Sequence, residues 1–218
     1  RDWNELTLSR LMLGTVQFGL PYGVANRTGQ PSYGEVRAIV AAAIEGGVTC
    51  FDTAAAYGAS EEVLGKALRE LQAAERVVVV TKVRALTPGE RADPALAARA
   101  VRESVETSRR RLGIDSLPLV LFHREEDAVF LDELLALRDL GWLRHAGVSC
   151  DNRPGPAARL AADERVGALQ VPGNILDRRH QHSGLFRAAA DRGVALFIRS
   201  VYLQGLLLMP EEAVPSHL

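Results

Sequence analysis

Four polar side chains stand at or just after the ends of three successive apolar segments, where they could handle a proton together. Asp52, Lys82 and His123 each end such a segment, and Tyr57 lies five residues beyond Asp52. An ammonium beside a phenol stabilises the phenolate, and a nearby carboxylate keeps that ammonium charged and in place. Tyr57 could then donate a proton to an oxygen that becomes an alkoxide. His123 could hydrogen-bond the same oxygen and orient it.

Lys82 is the most informative of the four. The chain has 26 lysines and arginines, and its only lysines are Lys66 and Lys82. Lys66 stands in an ordinary helical pattern, whereas Lys82 follows the apolar run 77–81 at the end of a predicted buried strand. A buried charge is costly unless it is paired, and a buried lysine changes its charge state far more readily than an arginine. Asp52 is the expected partner.

The reaction class follows from what the four residues lack as well as from what they offer. None is a strong nucleophile, and no metal-ligand spacing is present, so the set suits proton donation coupled to the arrival of a hydride. This chemistry is the reduction of a carbonyl by a nicotinamide cofactor. Each residue alone has a structural interpretation: Asp52 as a loop brace, Tyr57 as a wet rim aromatic, His123 as a satisfied histidine. Structural ion-pair networks can look the same.

A second enzyme class stays open at this point. Lys82 could form a Schiff base with a carbonyl substrate in an aldolase-like barrel, if burial left its amine uncharged. The neighbouring Asp52 speaks against that hypothesis, because a carboxylate keeps the lysine protonated.

The elements that must position these residues repeat as a unit of strand, turn and amphipathic helix. A capping box at Ser32 and Glu35 opens the first helix, and Asp93-Pro94 opens the third. The seven predicted strands cover 11–15, 49–53, 77–82, 117–123, 146–149, 168–171 and 194–198. The six predicted helices begin near residues 32, 60, 93, 127, 156 and 185.

Such alternation indicates parallel strands joined by right-handed crossovers, in either a doubly wound sheet or a (β/α)8 barrel. No G-x-G-x-x-G follows the first strand, and the candidate residues recur at the carboxyl ends of several strands. Both observations favour a TIM barrel, as one domain over residues 1–218. A barrel of about 250 residues needs one more strand and helix. The eighth unit is therefore expected to be missing from this sequence, which we interpret as incomplete.

Composition excludes several kinds of partner. A net charge of −1 over 218 residues offers no basic excess for nucleic acid. No run approaches the ~18 apolar residues of a membrane span, and no secretory signal opens the sequence. Two cysteines, Cys50 and Cys150, do not make a disulfide scaffold. The expectation is a cytoplasmic protein acting on a small molecule.

The chain resembles the aldo-keto reductases over essentially its whole length. The segment at 51–68 is the most specific of the similar segments, because Asp52, Tyr57 and the Gly-x-Ser-Glu helix start occur in it together. The similar segments are LGTVQFG at 13–19, FDTAAAYGASEEVLGKAL at 51–68, VVVVTKV at 77–83, LVLFHRE at 119–125, GVS at 147–149, LQVPGNILDRR at 169–179 and RSVYLQGLLL at 199–208.

The resemblance implies a (β/α)8 barrel that binds NADPH, with NADH possible, and reduces an aldehyde or ketone. It implies the same four catalytic residues, Asp52, Tyr57, Lys82 and His123. Ser149 and Gln170 match positions that hold the nicotinamide carboxamide, and the loop after strand seven matches one that lies along the pyrophosphate. The implied cofactor-binding residues are Gly14, Thr15, Asp52, Ser149, Gln170, Ser200, Gln204 and Gly205.

The sequence departs from the family pattern at three cofactor-site positions. Cys150 replaces a frequent asparagine, Gly173 replaces an aromatic, and Arg199 stands where an aromatic often stacks on the nicotinamide. These changes motivate a third hypothesis, a non-catalytic barrel that senses its cofactor. Gln17, Phe18 and Trp142 are expected on the pocket side.

Overall fold

A parallel sheet of seven strands, in sequence order, organises the computed structural model, which describes residues 1–215. Each strand of this sheet pairs in parallel register with the next along the chain. A short antiparallel hairpin of β1 and β2 precedes it. The strands are β1 Asp2–Trp3, β2 Leu6–Thr7, β3 Met12–Gly14, β4 Cys50–Asp52, β5 Val78–Val83, β6 Leu117–Phe122, β7 Leu143–Ser149, β8 Ala168–Pro172 and β9 Ala195–Arg199.

Helices fill the connections between the strands. The predicted capping box is present: the Ser32 side chain accepts from the Glu35 N–H, and Glu35 accepts from the Ser32 N–H. Asp93 likewise caps the longest helix. The helices are α1 Tyr33–Glu45, α2 Ser60–Glu70, α3 Pro88–Ala92, α4 Pro94–Leu112, α5 Leu131–Asp139, α6 Pro154–Ala161, α7 Arg179–His182 and α8 Leu185–Asp191.

The sequence pattern misses the short elements and misplaces one helix start. The hairpin β1–β2, α3 and α7 lie below the length at which periodicity is informative. The helix expected from Asp127 begins only at Leu131, after the 3-10 segment Glu125–Phe130. The Asp127 carboxylate is fully buried and accepts from the Leu86 N–H at 3.1 Å and from Arg91 at 3.0 Å. Asp127 therefore ties this segment to the loop after β5.

Strand alternation separates an inner from an outer core. Successive side chains of a strand face opposite sides, and the outer set packs under the helices. The inner set is small, with Trp3 and Leu8 packed against it near its amino end. Its buried members are Leu6, Cys50, Val78, Val80, Leu119, Leu121, Ala168 and Ala195.

The same period of two places the polar candidates at the carboxyl end of the inner face. Asp52 is two residues after Cys50, Lys82 two after Val80 and Gln170 two after Ala168. This face of the sheet therefore changes from apolar to polar along β4, β5 and β8.

The sheet is open between β3 and β9, which do not pair within the described residues. A cleft of about 1760 Å³ runs along this opening, from the β1–β2 hairpin at the amino ends of the strands to their carboxyl ends. No described helix combines the length and the apolar character needed to cross a lipid bilayer.

Candidate active site

Lys82 binds two of the other three candidate residues from a fully buried position. Its Nζ lies 2.6 Å from Asp52 Oδ1, 2.8 Å from the Thr53 carbonyl oxygen and 3.4 Å from Tyr57 Oη. The side chain has no exposed surface. An ammonium has three protons to donate, and three acceptors surround this one. Because the Tyr57 oxygen accepts from the ammonium, its own O–H proton is free to be donated elsewhere.

Tyr57 and His123 face each other across the cleft wall. Their ring centroids are 5.6 Å apart and the rings meet edge to face, at 85°. Both line the cleft, with Asp52 below them. Burial lowers the pKa of His123 to about 4, and the positive charge of Lys82 adds to this effect. His123 is therefore neutral at pH 7, with one ring N–H able to hydrogen-bond a carbonyl oxygen that also contacts the Tyr57 hydroxyl.

The low pKa of His123 predicts a pH dependence of stability. The unfolded chain takes up a proton on this histidine near its ordinary pKa of 6.5, whereas the folded chain does so only near a pKa of about 4. The free energy of unfolding should then fall as the pH drops from about 6.5 to about 4. The decrease is at most ~3 kcal/mol, and solvent screening of the partly exposed ring makes it smaller. Urea unfolding at several pH values would measure this. In His123→Gln the slope should shrink, and an unchanged slope would contradict the assignment.

The loop that carries Tyr57 is held by a close contact with Gly19. A Cβ at Gly19 would lie 1.9 Å from the Tyr57 carbonyl oxygen and 2.4 Å from the Ser60 amide nitrogen. Gly58 closes the same contact, because a Cβ there would approach the Gly19 carbonyl oxygen at 2.4 Å. Two backbone segments thus fix the position from which Tyr57 reaches Lys82.

We therefore expect Gly19→Ala to displace the Tyr57 loop and to cost about 1–3 kcal/mol of unfolding free energy, as overpacking usually does. Gly34→Ala is the matched control, because nothing lies within 4 Å of a Cβ at Gly34. Alanine in that helix should be neutral or stabilising. Thermal unfolding of both variants checks this, and equal midpoints would contradict it.

Thr15 supports the site from behind. Its hydroxyl donates to the Asp52 carbonyl oxygen at 2.8 Å and lies 2.8 Å from Ser60 Oγ, which also approaches Thr53 at 3.0 Å. The Thr15 side chain is fully buried. The structure therefore places Thr15 behind β4, the strand that carries Asp52, and not on the wall of the cleft.

Ser149 and Gln170 stand side by side on the cleft wall. Gln170 Nε2 donates to Asp52 Oδ1 at 2.8 Å, and Ser149 Oγ lies 3.4 Å from Gln170 Oε1. Gly14 also lines the cleft, and a Cβ there would meet nothing within 4 Å. These polar atoms and this open backbone fit a flat, amide-bearing ring such as nicotinamide.

The loop after β9 is conformationally strained where it borders the cleft. Ser200, Leu203 and Gln204 have positive φ angles of 62°, 47° and 59°, which cost non-glycine residues energy. Gly205, at φ 92°, approaches Ala25 so closely that a Cβ would lie 2.6 Å from the Ala25 Cβ. Strain of this kind concentrates at ligand sites. Ser200, Gln204 and Gly205 all line the cleft.

The structure places all three departures from the family pattern together: the Gly173 N–H donates to the Arg199 carbonyl oxygen at 3.0 Å, and the Arg199 side chain reaches Cys150. Arg199 ends β9, and its Nη2 donates to the Cys150 carbonyl oxygen at 3.0 Å. Cys150 is fully buried, and burial raises the pKa of its thiol to about 12, so the thiol is unreactive. Gly173 packs beside β9: a Cβ there would lie 3.1 Å from a methyl of Ile198.

Sequence reasoning misplaced Phe18 and Trp142 and missed a third residue. Phe18 is buried in the outer core and does not line the cleft, whereas Gln17 does. Trp142 immediately precedes β7, so it lies at the amino end of the sheet, where Arg102 and Arg109 stack on it. The expectation that it borders the pocket is wrong, because strand direction puts it at the opposite end. Tyr22 does line the cleft, and burial, with the nearby Tyr57, raises its pKa. Its position in the long loop after β3 carried no periodic signal.

Comparisons with known proteins agree with this geometry. The model of the aldo/keto reductase family matches residues 10–214. The aldo-keto reductase str7 of Strobilurus tenacellus is 28% identical over 92% of this chain, and a plant protein named as a voltage-gated potassium channel β subunit, from Arabidopsis thaliana, is 29% identical over 99%. The chain spans 61% and 69% of the lengths of these two relatives.

The fold comparison gives the same result. A crystal structure from Pseudomonas aeruginosa, described as an aldo-keto reductase, superimposes with a TM-score of 0.75 at 29% identity, covering 89% of this chain and 74% of that one. The predicted (β/α)8 architecture is confirmed for the seven strands of the parallel sheet. With the family match over residues 10–214, this shows that the chain belongs to the aldo/keto reductase family.

Proposed function

We propose that the chain is an NAD(P)H-dependent oxidoreductase that reduces an aldehyde or ketone to an alcohol. The observation that carries this proposal is the arrangement of the buried ammonium. Lys82 is fully enclosed, 2.6 Å from Asp52 and 3.4 Å from the oxygen of Tyr57, whose ring lines the cleft. A charge held at this depth against a phenol is expensive for stability alone, and it has a direct use in proton donation.

In this mechanism the substrate carbonyl oxygen lies between the Tyr57 hydroxyl and the His123 ring. The reduced nicotinamide, when bound, supplies the hydride that the carbonyl carbon receives. Tyr57 gives its proton to the oxygen as negative charge develops there, and the Lys82 ammonium stabilises the phenolate left behind. Asp52 holds Lys82 in place. His123, being neutral, orients the oxygen without competing as a strong acid.

The residues proposed for the cofactor follow from the same cleft. Ser149 and Gln170 would hold the carboxamide, with Gly14 leaving open space beside them. The strained loop with Ser200, Gln204 and Gly205 would border the pyrophosphate, and Thr15 would act from behind by fixing Asp52. NADPH is the proposed cofactor, with NADH as the alternative, and the cytoplasm is the proposed location.

A fluorescence titration of NADPH, then of NADH, followed by a panel of carbonyl compounds, tests the proposal. Binding with oxidation of the cofactor is the expected result, and the stronger binder identifies the coenzyme. The absence of binding by either cofactor would contradict the assignment of the cleft.

A non-catalytic cofactor sensor is the second candidate. The Arabidopsis relative is named as a channel subunit and not as an enzyme. The changes at Cys150, Gly173 and Arg199 also fall where a cofactor would lie. Tight binding with no oxidation across the carbonyl panel would favour this candidate. A Schiff base on Lys82 is disfavoured, because its Nζ is engaged by the Asp52 carboxylate at 2.6 Å and by the Thr53 carbonyl oxygen at 2.8 Å.

A further inference from the structure

The guanidinium of Arg199 is a positive charge with no carboxylate partner in the described part of the chain. Its hydrogen bonds go to uncharged acceptors, the Cys150 carbonyl oxygen at 3.0 Å and the Ser200 hydroxyl at 3.5 Å. Within residues 1–215, no carboxylate oxygen lies within 4 Å of it, unlike Arg84, Arg91 and Arg165, which all form ion pairs.

This charge belongs to the wall of the cleft. Arg199 ends β9, and its bond to Cys150 spans the end of β8, because the Cys150 N–H is itself bonded to the Gln170 carbonyl oxygen at 2.8 Å. The guanidinium thus reaches from the end of β9 past Gln170, at the end of β8, to the residue after Ser149, at the end of β7. Arg199, Ser149 and Gln170 line the same cleft as Tyr57.

The acidic groups nearby do not cancel this charge. Asp52 is paired with Lys82, and Glu125 is paired with Arg153 at 3.2 Å. Asp151 and Arg124 both line the cleft, and neither forms an ion pair in the described structure, so their charges offset each other. Besides burial, the positive charges of Lys82, Arg124 and Arg199 lower the pKa of His123, and the charge of Asp52 raises it. The region where a carbonyl would react is therefore net positive.

We propose that Arg199 makes the cleft discriminate between the two redox forms of its nicotinamide cofactor, by weakening the binding of the oxidised form. This inference rests on the proposed function. Hydride transfer requires the nicotinamide ring to contact a carbonyl held by Tyr57 and His123, so the ring must occupy the cleft that Arg199 borders. The oxidised ring is a cation and the reduced ring is neutral, so an unpaired guanidinium repels only the former.

This difference in affinity favours reduction over the reverse reaction. The reduced cofactor binds without electrostatic repulsion from Arg199, and the oxidised cofactor, once formed, binds more weakly and dissociates. Turnover toward the alcohol should then suffer little inhibition by oxidised cofactor. The reverse reaction, oxidation of an alcohol, starts from the disfavoured form.

The test is the ratio of the dissociation constants of NADP⁺ and NADPH, measured by calorimetry at fixed ionic strength. Both forms carry the same phosphates, so the ratio isolates the charge on the ring. In Arg199→Gln the ratio should fall about ten-fold, the order expected for one charge at several ångströms in a partly exposed site. Arg199→Lys, which keeps the charge, should retain most of the wild-type ratio.

Arg187→Gln is the matched control for net charge, because Arg187 is 89% exposed on α8 and does not line the cleft. Its ratio should equal the wild-type value. An equal loss of affinity for both forms in Arg199→Gln would overturn the inference and indicate a phosphate contact instead. Failure of the wild-type protein to bind either form would overturn the proposed function itself, and this inference with it.

Discussion

Tyr57→Phe should reduce carbonyl turnover by at least about 10³-fold while leaving the dissociation constant of NADPH close to wild type. General acid catalysis and stabilisation of the developing oxyanion contribute effects of this order. The substitution removes one hydroxyl, whose only hydrogen bond in the described structure is the one it accepts from the Lys82 ammonium at 3.4 Å. The ring stays in place against His123, so the cleft keeps its shape.

Single-turnover measurements with bound NADPH separate this effect from binding. Absorbance at the reduced-cofactor band would persist in Tyr57→Phe after a carbonyl is added, and decay in the wild-type protein. Tyr22→Phe is the control, because Tyr22 is a second cleft tyrosine without a hydrogen bond to Lys82 in the described structure. Comparable turnover in the wild-type protein and in Tyr57→Phe would contradict the role of Tyr57 as the proton donor.

Asp52→Asn should destabilise the protein by about 3–5 kcal/mol, since removing one partner leaves a buried charge uncompensated. Lys82 has no exposed surface, and its remaining described acceptors, the Thr53 carbonyl oxygen and Tyr57 Oη, are both uncharged. Lys82→Met should cost less, because Asp52 is 14% exposed and still accepts from Gln170.

The double variant, Asp52→Asn with Lys82→Met, shows whether the unfolding free energy lost in Asp52→Asn comes from the unpaired charge or from altered packing. Replacing both partners of a buried pair is often near neutral, so the double variant should recover most of the lost unfolding free energy. It should remain inactive, because Tyr57 then has no ammonium beside it. Urea unfolding measures the first effect and cofactor oxidation the second. A double variant as unstable as Asp52→Asn alone would refute the charge argument.

The period-two alternation explains why so much of the site could be predicted. Lys82 ends a run of valines, and its type and place in the strand require a partner from a neighbouring strand end. Parallel order then brings Asp52 within reach, as observed at 2.6 Å. The helix caps at Ser32 and Asp93 are equally local signals, and both are present.

What could not be predicted depends on contacts between distant segments. The clamp between Gly19 and the Tyr57 loop involves two loops whose approach no local pattern encodes. The ion pairing of an arginine is equally invisible in sequence. Arg91 reaches Asp127, 36 residues away, whereas the Arg199 side chain, among residues 1–215, donates to a carbonyl and a hydroxyl and to no carboxylate. The charge balance of the cleft therefore emerged only from the three-dimensional arrangement.

Transfer of deuterium from carbon 4 of the reduced nicotinamide to the substrate measures the proposed hydride step itself. The protein would be incubated with cofactor deuterated at either face and with a carbonyl compound that is turned over. We expect an alcohol that carries deuterium on the former carbonyl carbon, from one face of the ring only, and we expect its rate of formation to fall at least about 10³-fold in Tyr57→Phe. Cofactor that binds tightly and keeps its deuterium with every carbonyl compound would contradict it.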